Sequence, residues 1–247
     1  MRKYAAALVV ALAIPLLAGC GGSSKTLTVF AAASLQGPFT QLAERFESEH
    51  RGVKVELSFG ASNDLASQIQ QGAPADVIAT ASTTTMDQIA AEVTDRSDFA
   101  SNTMEIAVPA GNPAHIRSLA DLTRKGVKLA VCQAEVPCGV VAAQVFANAK
   151  LTVHPVTQEV DVKSVLTKVS LGEVDAGIVY VSDVKTAGPK VTGILVPSAV
   201  NAVTTYPIAV VSKATEKSLA ADFVTLVKAD AGRRALAAGG FAPPSGS

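Results

Sequence analysis

The chain has 247 residues, of which 49% are hydrophobic, and its 21 basic side chains equal its 21 acidic ones in number. Both basic residues of the first 19 positions, Arg2 and Lys3, lie in a leader without acidic residues, so residues 20–247 carry a formal charge of −2. Nucleic-acid-binding proteins normally carry a basic excess. We therefore expect no nucleic-acid partner, and we expect any bound anion to be held by local groups. The length suits one large or two modest α/β lobes.

The first 19 residues have the pattern of a bacterial lipoprotein signal peptide. Two basic residues precede an apolar run at 5–17, which is too short to span a bilayer comfortably as a helix. Residues 17–20, Leu-Ala-Gly-Cys, are typical of a lipobox, after which cleavage leaves an acylated Cys20. An ordinary secretory signal with an incidental cysteine is the alternative. The pattern predicts a signal peptide at 1–19, a flexible Gly/Ser tether at 20–25 and a lipid-anchored protein on the extracytoplasmic face of the cell membrane.

Two further cysteines, Cys132 and Cys138, lie six positions apart. Disulfides form and persist in exported proteins. After Cys20 is acylated, these two thiols are the ones left to pair, so we predict a disulfide between them. Two reduced, buried cysteines are the competing interpretation.

From Lys25 onward, short apolar strands alternate with amphipathic helical stripes. This alternation predicts an α/β protein with mostly parallel sheets and helices on both faces, and in such sheets ligands bind at the carboxyl ends of the strands. Strands are predicted at 27–32, 53–59, 76–79, 127–132, 176–180, 191–196 and 205–211, and helices at 39–46, 65–69, 86–93, 139–149, 162–171 and 219–227.

Signatures of catalysis are scarce. Residues 60–64, Gly-Ala-Ser-Asn-Asp, lack the closing glycine of a nucleophile elbow. The histidines His50, His115 and His154 lie in polar or proline-containing segments, which favours surface positions. No zinc-ligand spacing, P-loop or dinucleotide fingerprint is present. We therefore expect no catalytic residue and no cofactor.

Small or polar residues recur where a predicted strand gives way to a helix: Ser34, Ser62, Cys138 and the Asp161-Val162 pair. Each such point offers unpaired N–H groups and the positive end of a helix dipole. Several of them converging would form an anion site without a cationic side chain. Alternatively, Ser34 and Ser62 are simply helix N-caps.

Several short sequence motifs at these positions occur together in one known family. They are TVFAAASL at 28–35, SFGAS at 58–62, QI at 68–69 with GAPAD at 72–76, VPCG at 136–139, GIVY at 177–180 with SD at 182–183, and YPIAVV at 206–211. In this order and over residues 25 to the C-terminus, the chain resembles the molybdate-binding proteins of ABC importers. Single motifs such as GAPAD are common, whereas the ordered set is specific.

The resemblance implies a two-lobed periplasmic-binding-protein fold of type II, an α/β fold in which each lobe is a mainly parallel sheet flanked by helices. The ligand cleft lies between the lobes, and the chain crosses between them twice. Lobe one would comprise residues 25–104 and 205–247, and lobe two residues 105–204.

The resemblance also implies a ligand set. The family holds a tetrahedral dianion with two serine hydroxyls, backbone N–H groups and a tyrosine hydroxyl, and it binds molybdenum only as the oxyanion. The corresponding groups are the side chains of Ser34, Ser62 and Tyr180 and the backbone at Cys138 and Val162. Many relatives have alanine in place of Cys138, which leaves the shape of that wall open, and the polar Asn63 is a candidate auxiliary donor.

By this resemblance the protein is a monomeric extracytoplasmic solute-binding protein that captures molybdate, and tungstate as well, and delivers it to an ABC permease. One alternative is a binding protein for another oxyanion such as sulfate, thiosulfate or phosphate. Another is an enzyme on the same fold, for instance a transferase with a cofactor linked to Cys138, although no arginine-rich cleft motif accompanies that cysteine.

Overall fold

The computed structural model describes residues 24–244, so the predicted signal peptide and Cys20 lie outside the described residues. The strands are β1 (Lys25–Ala32), β2 (Val53–Gly60), β3 (Val77–Ala79), β4 (Val93–Pro109), β5 (Leu129–Cys132), β6 (Thr157–Glu159), β7 (Ala176–Tyr180), β8 (Val191–Leu195) and β9 (Val203–Val211). The helices are α1 (Gln36–Glu49), α2 (Ser62–Gln70), α3 (Thr83–Gln88), α4 (Pro137–Asn148), α5 (Val162–Ser170), α6 (Val181–Ala187), α7 (Lys217–Lys228) and α8 (Asp230–Ala238).

These strands form two mixed sheets. The first has the order β2-β1-β3-β9-β4, and the second has the order β6-β5-β7-β4-β8. In the first sheet β9 is antiparallel to the other four strands, and in the second sheet β4 is antiparallel to the other four. The predicted α/β class with mainly parallel strands is therefore confirmed, with one reversed strand in each sheet.

Strand β4 belongs to both sheets. Its first part pairs with β9 as far as Thr103, which lies opposite Val203, and from Met104 onward it pairs with β7 and β8. The pairing is irregular between Thr94 and Ala100, where the register shifts twice. One continuous strand thus joins the two lobes.

The predicted helix at 86–93 is wrong at its C-terminal end. Helix α3 ends at Gln88, a short 3-10 turn follows, and Val93 begins β4 opposite Val211. Residues 94–98, Thr-Asp-Arg-Ser-Asp, have no apolar alternation. The pairing partner far along the chain, and not the local pattern, makes this segment a strand.

Helices cover both faces of the first sheet. Along β1, Leu27 and Val29 pack with Phe39 of α1 and Phe223 of α7, whereas Phe30 packs on the opposite face with Leu65 of α2. This alternation follows from the two-residue period of a strand. The sheet is therefore buried on both sides, and its loops are left as the accessible edge.

The second sheet has one continuous core with α4 and α5. Helix α5 lies close against β7, since a Cβ added at Gly177 would lie 2.6 Å from the Val165 side chain. This close approach places the first turn of α5 beside the end of β7.

None of the helices within residues 24–244 has the length and apolar character that a membrane span needs.

Candidate functional site

A small cavity lies between the two lobes, where strands of both sheets end. Its volume is about 20 Å³, so it is a space for a small solute. A sugar or peptide is far larger than this space. The cavity is lined by all five residues predicted from the sequence, Ser34, Ser62, Cys138, Val162 and Tyr180.

Two serines form the wall contributed by the first lobe. Ala32 and Gly60 lie opposite each other in the parallel pair β1–β2, so the residues that follow the two strands are neighbours. Ser34 then lies in a short 3-10 turn, and Ser62 is the first residue of α2. Both serines are buried, at 1% and 2% exposure.

The N-cap interpretation of these serines is wrong. The capping positions of α1 and α2 are Leu35 and Ala61, and neither helix has a side-chain cap hydrogen bond. Instead, the backbone N–H of Ala81 donates to Ser62 Oγ at 3.0 Å. A hydroxyl that accepts from a fixed N–H retains its own proton for another acceptor. Ser62 is thereby prepared to donate.

The second lobe contributes two helix N-termini. Cys138 is the second residue of α4 and Val162 the first of α5, so neither N–H has a partner within its own helix. Asp161 caps α5, because Ser164 N–H donates to its carboxylate at 2.8 Å. A Cβ at Gly139 would lie 1.8 Å from the Gln133 carbonyl oxygen, so only glycine permits this approach of α4.

Cys138 is joined to Cys132 by a disulfide in the structure, with Cα atoms 5.7 Å apart. Cys132 is the last residue of β5, and Pro137 begins α4. The bridge therefore connects the end of a central strand to the helix turn that faces the cavity. It restrains the loop between them at both ends.

Tyr180 closes the cavity from the end of β7. It is 1% exposed, and within residues 24–244 its hydroxyl has no partner in hydrogen-bond geometry, while the Tyr206 hydroxyl behind it is close enough to raise its pKa further. Leaving a buried hydroxyl unpaired costs about 1–3 kcal/mol. Burial is also the main reason that the pKa of this hydroxyl is raised well above 10, so it stays a neutral donor. A donor kept dry at a cavity wall points to a ligand with acceptor atoms.

Positive charge in the cavity comes from backbone dipoles. Among the described residues that line it there is no lysine or arginine, and Asp161, the one charged lining residue, is occupied as a helix cap. Behind the wall, the fully buried Asp183 accepts from the Tyr180 N–H at 3.1 Å and lies 2.9 Å from Lys163 Nζ. Burial raises the pKa of Asp183, and the Lys163 ammonium acts in the opposite direction.

Other sequence candidates lie elsewhere. Asn63 does not line the cavity, and its amide donates to Asp64 at 3.2 Å. His115 and His154 are exposed, and His50 is half-buried on Phe46 at the end of α1. Within residues 24–244 no cluster of His, Cys, Asp or Glu could hold a metal ion.

Sequence reasoning missed the layer behind the cavity. The Tyr206 hydroxyl lies 3.0 Å from Ser34 Oγ and is completely buried. Apart from Tyr4 of the leader, Tyr180 and Tyr206 are the only tyrosines of the chain. This scarcity and the YPIAVV segment at 206–211 were the signals for Tyr206, and neither indicates the contact with Ser34.

A two-lobed fold with a small donor-lined cavity between the lobes is the architecture of a solute-binding protein. The model of the family described as bacterial extracellular solute-binding protein matches residues 27–242. The molybdate-binding protein ModA of Mycobacterium tuberculosis strain H37Rv is 43% identical in an alignment of 252 positions that covers 96% of this chain and 97% of that protein.

Two solved structures share the fold. The periplasmic molybdate-binding protein of Azotobacter vinelandii has a TM-score of 0.79 at 20% identity, and the match covers 89% of this chain and 100% of that chain. The sulfate-binding protein SubI of Mycobacterium tuberculosis H37Rv has a TM-score of 0.80 at 20% identity, and the match covers 90% of this chain and 88% of that chain. The chain belongs to the bacterial extracellular solute-binding proteins and, within them, to the family of the molybdate-binding protein ModA.

The two buried tyrosines predict an abrupt alkaline transition. Burial raises the pKa of both Tyr180 and Tyr206 above the usual value of 10. Their protonated forms are therefore favoured in the folded state, and this contribution to stability is complete below pH 10 and is lost as the pH rises above it. In protein without its first 19 residues, tyrosinate absorbance should appear only together with unfolding. Gradual ionisation near pH 10 with the fold intact would contradict the burial of these hydroxyls.

Proposed function

We propose that the protein captures molybdate in this cavity and delivers it to an ABC permease. The observation that carries the proposal is the buried hydroxyl of Tyr180, which has no partner in hydrogen-bond geometry within residues 24–244 and lines the same small cavity as the serines of the other lobe. The ModA protein of Mycobacterium tuberculosis, which is 43% identical to this chain, is a molybdate-binding protein and supports the same ligand.

A buried dianion loses its hydration and must have it replaced by hydrogen bonds. Three hydroxyls and the free N–H groups of two helices are available for this, from Ser34, Ser62, Tyr180, Cys138 and Val162. Hydrogen bonds to charged groups contribute about 1.5–3 kcal/mol each. Five of them, together with the dipoles of α4 and α5, are sufficient for tight binding without a cationic side chain.

The same lining selects among oxyanions. Phosphate near neutral pH carries a proton, which a wall of donors leaves unpaired. Sulfate has the right charge but is smaller, so it does not reach all donors at once. Tungstate matches molybdate in size and charge, and we propose that it binds equally well.

The alternatives have less support. Sulfate binding is the function named for SubI, but the 20% identity to it relates the two proteins by fold alone. An enzyme with a cofactor linked to Cys138 needs a free thiol there, and that sulfur is bonded to Cys132. The two-lobed architecture and the relatives favour binding without turnover, and no cofactor is needed for it.

We further propose that lobe one comprises residues 25–104 and 205–247, and lobe two residues 105–204. The change of β4 from pairing with β9 to pairing with β7, between Thr103 and Met104, supports the first boundary. The start of β9 at Val203 supports the second. A single-chain site that uses both lobes is complete in a monomer.

An oxyanion screen with site variants tests the ligand. Calorimetry with molybdate, tungstate, sulfate, thiosulfate and phosphate should give tight binding for the first two alone. Ser34→Ala, Ser62→Ala and Tyr180→Phe should each weaken molybdate binding by about 1–3 kcal/mol, because each removes one hydrogen bond to a charged ligand. Ser48→Ala, at an exposed position of α1, is the matched control. Unchanged affinity in both serine variants of the cavity would refute this site.

Lipidation at Cys20 is a separate proposal, supported by the Leu-Ala-Gly-Cys sequence at 17–20 and the Gly/Ser stretch after it. Acyl chains on this cysteine would hold the protein at the membrane surface. Cys20→Ser should release the protein from membranes in cell fractionation. A variant that stays in the membrane fraction and is cleaved at another position would show that the anchor is assigned wrongly.

We also propose that the Cys132–Cys138 bridge persists in the exported protein and positions the Cys138 N–H before the anion arrives. Closing so short a loop stabilises the fold by about 2 kcal/mol in the chain-entropy model. The double change Cys132→Ala and Cys138→Ala should lower molybdate affinity more than it lowers stability, as measured by calorimetry and thermal unfolding. Two reactive thiols in the unfolded, unreduced protein would disprove the bridge.

A further inference from the structure

Tyr206 lies directly behind the cavity and does not line it. It extends from β9, and its ring makes edge contacts with Phe241, Tyr180 and Phe99, at centroid distances of 5.2, 6.1 and 6.4 Å. The ring is completely buried. Its hydroxyl therefore has a fixed position, 3.0 Å from Ser34 Oγ.

Either oxygen of this pair can be the donor. If Ser34 donated to Tyr206, it would turn a lone pair toward the cavity and repel an anion. If Tyr206 donates, Ser34 keeps its proton for the ligand. The raised pKa of Tyr206, which burial causes, guarantees that its proton is present. An acceptor in the cavity therefore selects the chain of hydrogen bonds from Tyr206 through Ser34 to the ligand, in which each bond polarises the next.

Ser62 is prepared in the same way by a different group. Its oxygen accepts from the Ala81 N–H at 3.0 Å, and a backbone N–H is a donor under all conditions. Both cavity serines thus have an acceptor position filled from behind. At Ser62 the backbone N–H of Ala81 fills this position. At Ser34 the side chain of Tyr206 fills it, and a single substitution can remove that hydroxyl.

We propose that Tyr206 is a specificity-determining positioning residue that forces Ser34 to act as a donor and so excludes oxyanions that carry a proton. This inference rests on the proposed oxyanion function. Without the Tyr206 hydroxyl, Ser34 is free to rotate and accept a hydrogen bond from a protonated ligand. Discrimination between molybdate and hydrogenphosphate then declines, while the cavity keeps its shape.

Tyr206→Phe tests this proposal, because it retains the ring contacts and removes only the hydroxyl. Molybdate should bind about 5- to 10-fold more weakly, the effect of one lost neutral hydrogen bond. In competition experiments at neutral pH, phosphate should bind as well as before or better, so that the affinity ratio of the two ions falls at least about 5-fold. Equal weakening of both ions, or no change in either, would overturn the proposal.

A double-mutant cycle separates this role from a general loosening of the core. In a Ser34→Ala background, Tyr206→Phe should have no additional effect on molybdate binding, because the group through which it acts is gone. Phe241→Leu is the matched control, since it loosens the same ring cluster and should leave the ratio of the two ions unchanged. Additive effects of the Ser34 and Tyr206 changes would contradict the chain of hydrogen bonds.

Fluorotyrosine provides a spectroscopic readout of Tyr206 that is separate from ligand affinity. Protein without its first 19 residues contains only Tyr180 and Tyr206, so its ¹⁹F spectrum has two tyrosine environments, and Tyr180→Phe assigns them. The Tyr206 signal should shift when molybdate is added to the unaltered protein and should not shift in Ser34→Ala. An unaltered protein that does not bind molybdate overturns the proposed function and this inference together. Binding with an unmoved Tyr206 signal overturns this inference alone.

Discussion

The cavity depends on one constraint of the backbone, the passage of β4 from one sheet into the other. Up to Thr103 the strand pairs with β9 and from Met104 with β7, so both sheets are held by one continuous hydrogen-bonded segment. The donors come from both sides of this passage: Ser34 and Ser62 from the first lobe, and Tyr180 from the second. Because the strand fixes how the two sheets meet, their loops converge on a space of a few atoms.

The proposed anion site depends on the orientation of donors. The first turns of α4 and α5 line the cavity, and among the described residues of its wall there is no lysine or arginine. A lysine at the wall would attract any anion, whereas fixed donors respond to shape and protonation state. The buried Asp183 close behind this wall lies 2.9 Å from Lys163, so its charge is opposed locally.

Much of this protein could be predicted from the sequence. Apolar periodicity indicated most helices and the short buried strands, because these elements bury one face against their own sheet and carry that pattern locally. Four of the five cavity residues, Ser34, Ser62, Cys138 and Val162, were found because each stands where a strand changes to a helix. The resemblance to a known family added Tyr180 and supplied the role of each. The α/β class followed from the same alternation and the two-lobed fold from the resemblance, and the structure and the relatives confirm both.

Tertiary structure alone decided the rest. Strand β4 has no alternating pattern over residues 94–98 and is a strand because β9, about a hundred residues later, pairs with it. Asn63 is one position from Ser62, yet it turns away from the cavity, since adjacent helix residues point in directions about 100° apart. The contact between Tyr206 and Ser34 joins residues 172 positions apart. The sequence determined which residues can donate, and the meeting of distant strands determined which of them lie together at the cavity.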